Sequence, residues 1–217
     1  MNSKNSFNIH LQTLFNTSVF IRVDFGCGSG SLLDSLLDCS TSLQNIIGVD
    51  ISQKGLSRAA KMLHSKLNKG TCNLKSIILY DGSILEFDSR LHDIDIGTCV
   101  ESKPINFGET VLSLFRPKIL IVSTPNYEYN TIIQGFAPDH QEDKSKSHKP
   151  KFRNHDHKFE WTREQFNKWA SKLAKLHNYS VEFSGVGGGY VQYGKPNAQC
   201  SLIKSFVNGE RKGRQID

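Results

Sequence analysis

The chain has 217 residues, 37% of them hydrophobic and 22% charged, which supplies one ordinary core and excludes collagen-like, low-complexity and wholly disordered classes. Lys and Arg number 27 against 21 Asp and Glu, a net charge of +6 that suits a polyanionic partner without identifying one. Five scattered cysteines without a Cys-x-x-Cys pair speak against a disulfide framework or zinc knuckle and for a reducing compartment, and no apolar run approaches the roughly 18 residues of a membrane span.

Residues 1–19 lack the unbroken apolar stretch of a secretory signal, which points to the nucleus or cytoplasm and away from secretion. Residues 20–25 then read as a strand ending in glycines, and leucines at three- and four-residue spacing make 31–37 a helix. The pattern repeats with a strand at 46–50 and a helical face of Leu56, Ala59, Ala60, Leu63 and Leu67. Residues 76–80 and 94–100 read as two more strands, 108–115 as a helix, and 118–123 as a fifth strand stopped by Thr124-Pro125-Asn126. The polar stretch 137–151 offers nothing to bury and reads as a mobile surface loop. Thr162 and Gln165 have capping-box spacing before the stripe Phe166, Trp169, Ala170, Leu173 and Leu176, and strands at 180–186 and 201–207 follow. Strands alternating with helices imply an α/β fold, a mainly parallel sheet with helices on both faces.

The strongest local signal is Asp24-Phe25-Gly26-Cys27-Gly28-Ser29-Gly30 directly after the first strand. Glycines there let the backbone turn tightly and approach a ligand where side chains would collide. The dinucleotide fingerprint places its third glycine where this chain has Ser31, whereas Gly-x-Gly-x-Gly after an acid suits S-adenosylmethionine over NAD. Asp50 ends the second strand about 20 residues past Gly30, where a carboxylate can accept hydrogen bonds from both ribose hydroxyls. Asp81 and Ser83 close the third strand, in position to border the adenine. Glu101, at the carboxyl end of the fourth strand, fits an active-site acid and equally a solvated loop carboxylate. The run His155-Asp156-His157-Lys158-Phe159-Glu160-Trp161 fits either a cation or proton-transfer site or a polar helix entrance.

Together with Gly48-Val49-Asp50-Ile51-Ser52, Ser123-Thr124-Pro125-Asn126 and Asp156-His157-Lys158-Phe159-Glu160-Trp161-Thr162, the glycine motif resembles the small-RNA 2′-O-methyltransferase family, most nearly the catalytic domain of its plant members. The resemblance covers residues 22–188 and implies a Rossmann-like S-adenosylmethionine-dependent methyltransferase domain over 20–188, between a non-matching segment, 1–19, and a divergent tail, 189–217. It implies methylation of the 2′-hydroxyl of the 3′-terminal nucleotide of microRNA and siRNA duplexes, with no DNA substrate and no membrane. The cofactor site would comprise Asp24, Gly26, Cys27, Gly28, Gly30, Asp50, Ile51, Asp81 and Ser83. A divalent cation, magnesium or manganese, would sit on a Glu-x-x-Glu-His motif and a later histidine, to which Glu101 and His157 correspond as catalytic and metal residues. Tyr127 and Tyr129 could stack on a terminal base, and Lys149, Lys151, Arg153 and Lys158 could meet phosphates.

The chain departs from the family after Glu101, where Pro104 and Ile105 stand in place of the second glutamate and the histidine of the metal motif. A cation on Glu101 and His157 alone would be weakly held. The segment after Glu101 is also several residues shorter than the family's before Phe107-Gly108-Glu109, and that shortening could draw Glu109 toward the site. The alternative function is a non-catalytic remnant that binds S-adenosylmethionine, RNA or a protein partner.

Overall fold

The computed structural model describes residues 21–38, 44–68, 74–100, 104–129, 160–186 and 198–205. In chain order these form β1 (Ile21–Phe25), α1 (Ser31–Leu37), β2 (Asn45–Asp50), α2 (Gln53–Leu67), β3 (Ser76–Asp81) and β4 (Ile96–Val100). There follow α3 (Pro104–Thr110), which runs into a π-helical turn over Val111–Phe115, then β5 (Ile119–Pro125), α4 (Arg163–His177), β6 (Tyr179–Val186) and β7 (Ala198–Ser205). Among these residues no helix is long and apolar enough to cross a membrane.

The seven strands make one sheet in the order β3-β2-β1-β4-β5-β7-β6. Pairs from β3 through β5 are parallel, while β7 runs antiparallel to both β5 and β6. The mainly parallel sheet is as expected, and the strand read at 201–207 forms as β7, but its antiparallel insertion between β5 and β6 departs from the parallel pattern. The strand order changes direction at β1, so the crevice at the carboxyl ends of β1 and β4 is where such a sheet places a ligand.

Alternation along β1 sorts its side chains: Val23 and Phe25 face one layer, Arg22 and Asp24 the other. The first layer is α3, its π turn and α4, which bury Phe107, Val111, Phe115, Phe166, Ala170 and Leu173 against the sheet. The second is α1 and α2, where Leu33, Leu36, Leu37, Ala59 and Leu63 cover Ile46, Ile96 and Ile121. The capping box of α4 forms as read: Thr162 Oγ1 accepts from the Gln165 amide at 3.2 Å, and Gln165 Oε1 accepts from the Thr162 amide at 3.0 Å. Three residues read as core-facing are exposed instead, namely Ala60, Leu67 and Leu176. Ala60 sits at the margin of its stripe, and Leu67 and Leu176 fall in last helical turns, where a continuing apolar pattern no longer guarantees a covering neighbour.

Helix α3 begins at Pro104, earlier than the reading of 108–115, because proline is well accommodated at a first helical position that needs no amide donor. Its π turn closes with the Arg116 amide donating to the Val111 carbonyl at 3.0 Å, Arg116 itself being left-handed at φ +50°.

Gly48 shows how tightly the α1 layer is seated. A Cβ there would lie 2.8 Å from Leu79 Cδ2, 2.9 Å from Cys27 Sγ and 3.0 Å from Leu33 Cδ1. Gly48→Ala is therefore expected to destabilise the fold by about 1–3 kcal/mol through overpacking. Denaturant titration checks this, and an unchanged midpoint would contradict the packing described.

Candidate active site

Beyond Phe25 the chain doubles back into α1 with Gly26, Gly28 and Gly30 at φ of +74°, +54° and +83°. Side chains rarely tolerate that region, so the spacing of glycines reflects backbone geometry. The bend is fastened to β2 by the Gly26 and Cys27 amides, which donate to the Val49 carbonyl at 2.8 and 3.0 Å. Asp50 fastens it again: its Oδ2 accepts from the Gly28 amide and its Oδ1 from the Ser52 amide, each at 2.7 Å. A carboxylate has about four acceptor positions, so both oxygens retain capacity for further donors.

The register Asp50↔Asp81 sets a second carboxylate beside the first at the end of β3. Asp81 Oδ2 accepts from Gln53 Nε2 at 2.8 Å, and Ser83 Oγ accepts from the Leu85 amide at 3.2 Å. Ile51, 74% exposed, presents an apolar side chain directly after Asp50. Sequence reasoning named neither Ser52 nor Gln53 as site residues, although a serine just before a helical run is an N-cap signal.

Asp24 lies under the bend, 4% exposed, with Oδ1 accepting from Thr98 Oγ1 at 3.1 Å. Burial pushes its pKa up to about 7; the Thr98 hydroxyl and the Arg22 guanidinium pull the other way without overcoming desolvation, and Asp50 adds to the rise. Thr98 was not singled out from the sequence, yet a polar side chain within a strand buried on both faces marks it. Cys27 belongs to the bend through its backbone, while its thiol packs toward Gly48. Burial, with the Asp24 and Asp50 charges, pushes that thiol up to about 12, so it remains protonated and is not a nucleophile.

Two motifs far apart in sequence meet at the end of β5. Asn126 bridges to Trp161, the Tyr127 amide donates to the Trp161 carbonyl at 3.0 Å, and Glu128 Oε1 accepts from the Arg163 amide at 3.1 Å. Ser123, Thr124, Asn126 and Glu160 are all buried there. Tyr127 and Tyr129 form a single 3-10 turn at this junction. Glu109 is exposed on α3, close enough to His177 for its charge to oppose the lowering of that imidazole's pKa by burial. Glu101, His157, Lys149, Lys151, Arg153, Lys158 and the 137–151 loop lie outside the described residues. Among the described residues no three His, Cys, Asp or Glu side chains gather in a way that could hold a metal ion.

No protein-family profile matches the sequence. The small RNA 2′-O-methyltransferase of Arabidopsis thaliana is 69% identical over 194 residues, 86% of this chain and 21% of that protein. The chain belongs to the small RNA 2′-O-methyltransferase family. The family member of Rattus norvegicus is 35% identical over 175 residues, 76% of this chain and 40% of its own length. The chain thus spans less than half the length of these two relatives. Among solved structures, small RNA methyltransferase HEN1 superposes with a TM-score of 0.81 at 61% identity, over 96% of this chain and 26% of that one. The methyltransferase domain of bacterial CtHen1 gives 0.73 at 29% identity, over 94% of this chain and 99% of that one. An S-adenosylmethionine-dependent methyltransferase of Clostridium acetobutylicum, at 0.61 and 15% identity over 94% of this chain and 91% of that one, shares the fold alone. The sheet described above is accordingly the Rossmann-like methyltransferase fold that the motifs implied.

Proposed function

We propose that this chain is the methyl-transferring segment of a small RNA 2′-O-methyltransferase, acting on the 2′-hydroxyl of the 3′-terminal nucleotide of microRNA and siRNA duplexes. The observation that carries this reading is Asp50 held at 2.7 Å on the Gly28 amide: a ribose acceptor locked against a backbone-lined bend in a chain of this family. The spare acceptor positions of Asp50 take the ribose hydroxyls of S-adenosylmethionine, and the bend at Gly26, Cys27, Gly28 and Gly30 admits its amino-acid tail where side chains would collide. Ile51 covers a face of the adenine, with Asp81 and Ser83 at its edge, and buried Asp24 supports the bend from below. S-adenosylmethionine supplies the sulfonium methyl.

On the acceptor side Glu101 and His157 are the residues that would hold a divalent cation, whose chemistry is to lower the pKa of a ribose hydroxyl. Recognition of both vicinal hydroxyls by such a pair rejects DNA ends and 3′-phosphorylated ends, since each lacks one of the two groups. The bridge between Asn126 and Trp161 fixes the chain four residues after His157 in the sequence.

The test is incubation with labelled S-adenosylmethionine, manganese and a short RNA duplex with free 3′ ends. Label is expected on the RNA and is expected to fall by about 100-fold or more in Glu101→Ala or His157→Ala, as for loss of a transition-state contact. Donor binding without transfer would instead assign the chain to the non-catalytic reading, which the Pro104 and Ile105 replacements favour. No donor binding would remove both.

A further inference from the structure

We propose that Gly55, in the first turn of α2, is a positioning residue of the donor site: its missing side chain is what allows the Gly28 peptide to sit where Asp50 can hold it. This rests on the donor reading above. Gly55 has no positive φ to require glycine, and within a helix alanine is intrinsically the better former. The reason for glycine is steric. A Cβ at Gly55 would lie 3.0 Å from the Gly28 carbonyl oxygen, 3.1 Å from its carbonyl carbon and 3.3 Å from Ser52 Oγ.

The neighbour it meets is backbone, which cannot swing aside as a side-chain tip does. The Gly28 carbonyl belongs to the next peptide group, Gly28–Ser29, and moving it turns the chain about a Gly28 Cα whose own amide is on Asp50 Oδ2 at 2.7 Å and whose φ is +54°. Ser52 completes the arrangement, its amide on Asp50 Oδ1 at 2.7 Å and its Oγ accepting from the Gly55 amide at 3.1 Å. The β2–α2 junction therefore grips Gly28 twice, by a carboxylate on its amide and by a bare Cα against its carbonyl. A methyl group at position 55 must displace the Gly28 carbonyl within the bend proposed to hold the donor, or lift the start of α2 away from Asp50. Either movement spoils donor binding before it disturbs the core.

Gly55→Ala, examined by calorimetry with S-adenosylmethionine and by thermal melting without it, tests this. The dissociation constant is expected to rise about tenfold, while the better helix former offsets part of the strain, so the melting midpoint falls less than that of Gly108→Ala. Where transfer is measurable, KM for the donor rises and the rate at saturating donor holds. Gly108→Ala is the control for an ordinary packing defect: its Cβ would meet Leu173 Cδ2 at 2.4 Å and Trp169 Cζ2 at 2.8 Å on the opposite layer, lowering the midpoint while donor affinity is retained. The inference is overturned if Gly55→Ala binds donor as the wild type does, or if its midpoint falls as far as that of Gly108→Ala. Wild-type protein that takes no donor overturns the donor reading and this inference with it, whereas wild-type binding with an unaffected variant overturns the inference alone.

Discussion

Asp50→Ala is expected to reduce the affinity for S-adenosylmethionine by 100-fold or more, about the loss of two charge-assisted hydrogen bonds at roughly 1.5–3 kcal/mol each. The carboxylate has two tasks that the substitution removes together. It is proposed to accept from the donor's ribose, and it accepts from the Gly28 and Ser52 amides that shape the bend and start α2. Asp50→Asn separates them. The amide keeps one acceptor oxygen but turns the other position into a donor, which faces an amide that is also a donor. An intermediate loss of about tenfold is expected, with partial retention of the bend. Calorimetric titration of both variants checks the order, and wild-type affinity in Asp50→Ala would show that the donor does not lie on this carboxylate.

The second large effect concerns stability and pH. Asp24 has an ordinary value of 3.8 in the unfolded chain and about 7 when buried beneath the bend, where desolvation disfavours its charge. Below 3.8 the carboxyl is protonated in both states and its contribution to stability is fully present. As pH rises the unfolded chain releases this proton first, so the folded state loses ground until Asp24 ionises in it too, near pH 7. Across that window the loss is on the order of 4 kcal/mol. Asp24→Asn keeps an acceptor for the Thr98 hydroxyl and removes the titration. The variant is expected to gain on the wild type as pH rises from 4 to 7, by denaturant unfolding at several pH values. Parallel profiles for the two proteins would rule out a raised Asp24.

Much of this molecule was legible locally. The strand, glycine bend and helix at its start follow from spacing alone, because a positive φ at Gly26, Gly28 and Gly30 is a demand that neighbouring residues already announce. Strand positions were read to within a few residues, since burial on both faces leaves short apolar runs between turn residues. Placing Asp50 and Asp81 at strand ends was equally local. The assignment of Glu101 and His157 to a cation site rests on motif resemblance, and the described residues do not include them.

Other features arise only when distant segments meet. The reversal of β7, the junction of Asn126 with Trp161 and the exposure of Leu176 depend on which element lies alongside, which periodicity does not encode. The same holds for Asp24, whose pKa is raised by burial in spite of the Thr98 hydroxyl, and for Asp50, whose hold on the Gly28 amide spans 22 positions. Chain chemistry was thus sufficient for which backbone can bend and which residues carry charge, because those are properties of single residues and near neighbours. Distances between charges, their hydration and the space left beside Gly55 belong to the packed molecule, where contacts between remote segments set them.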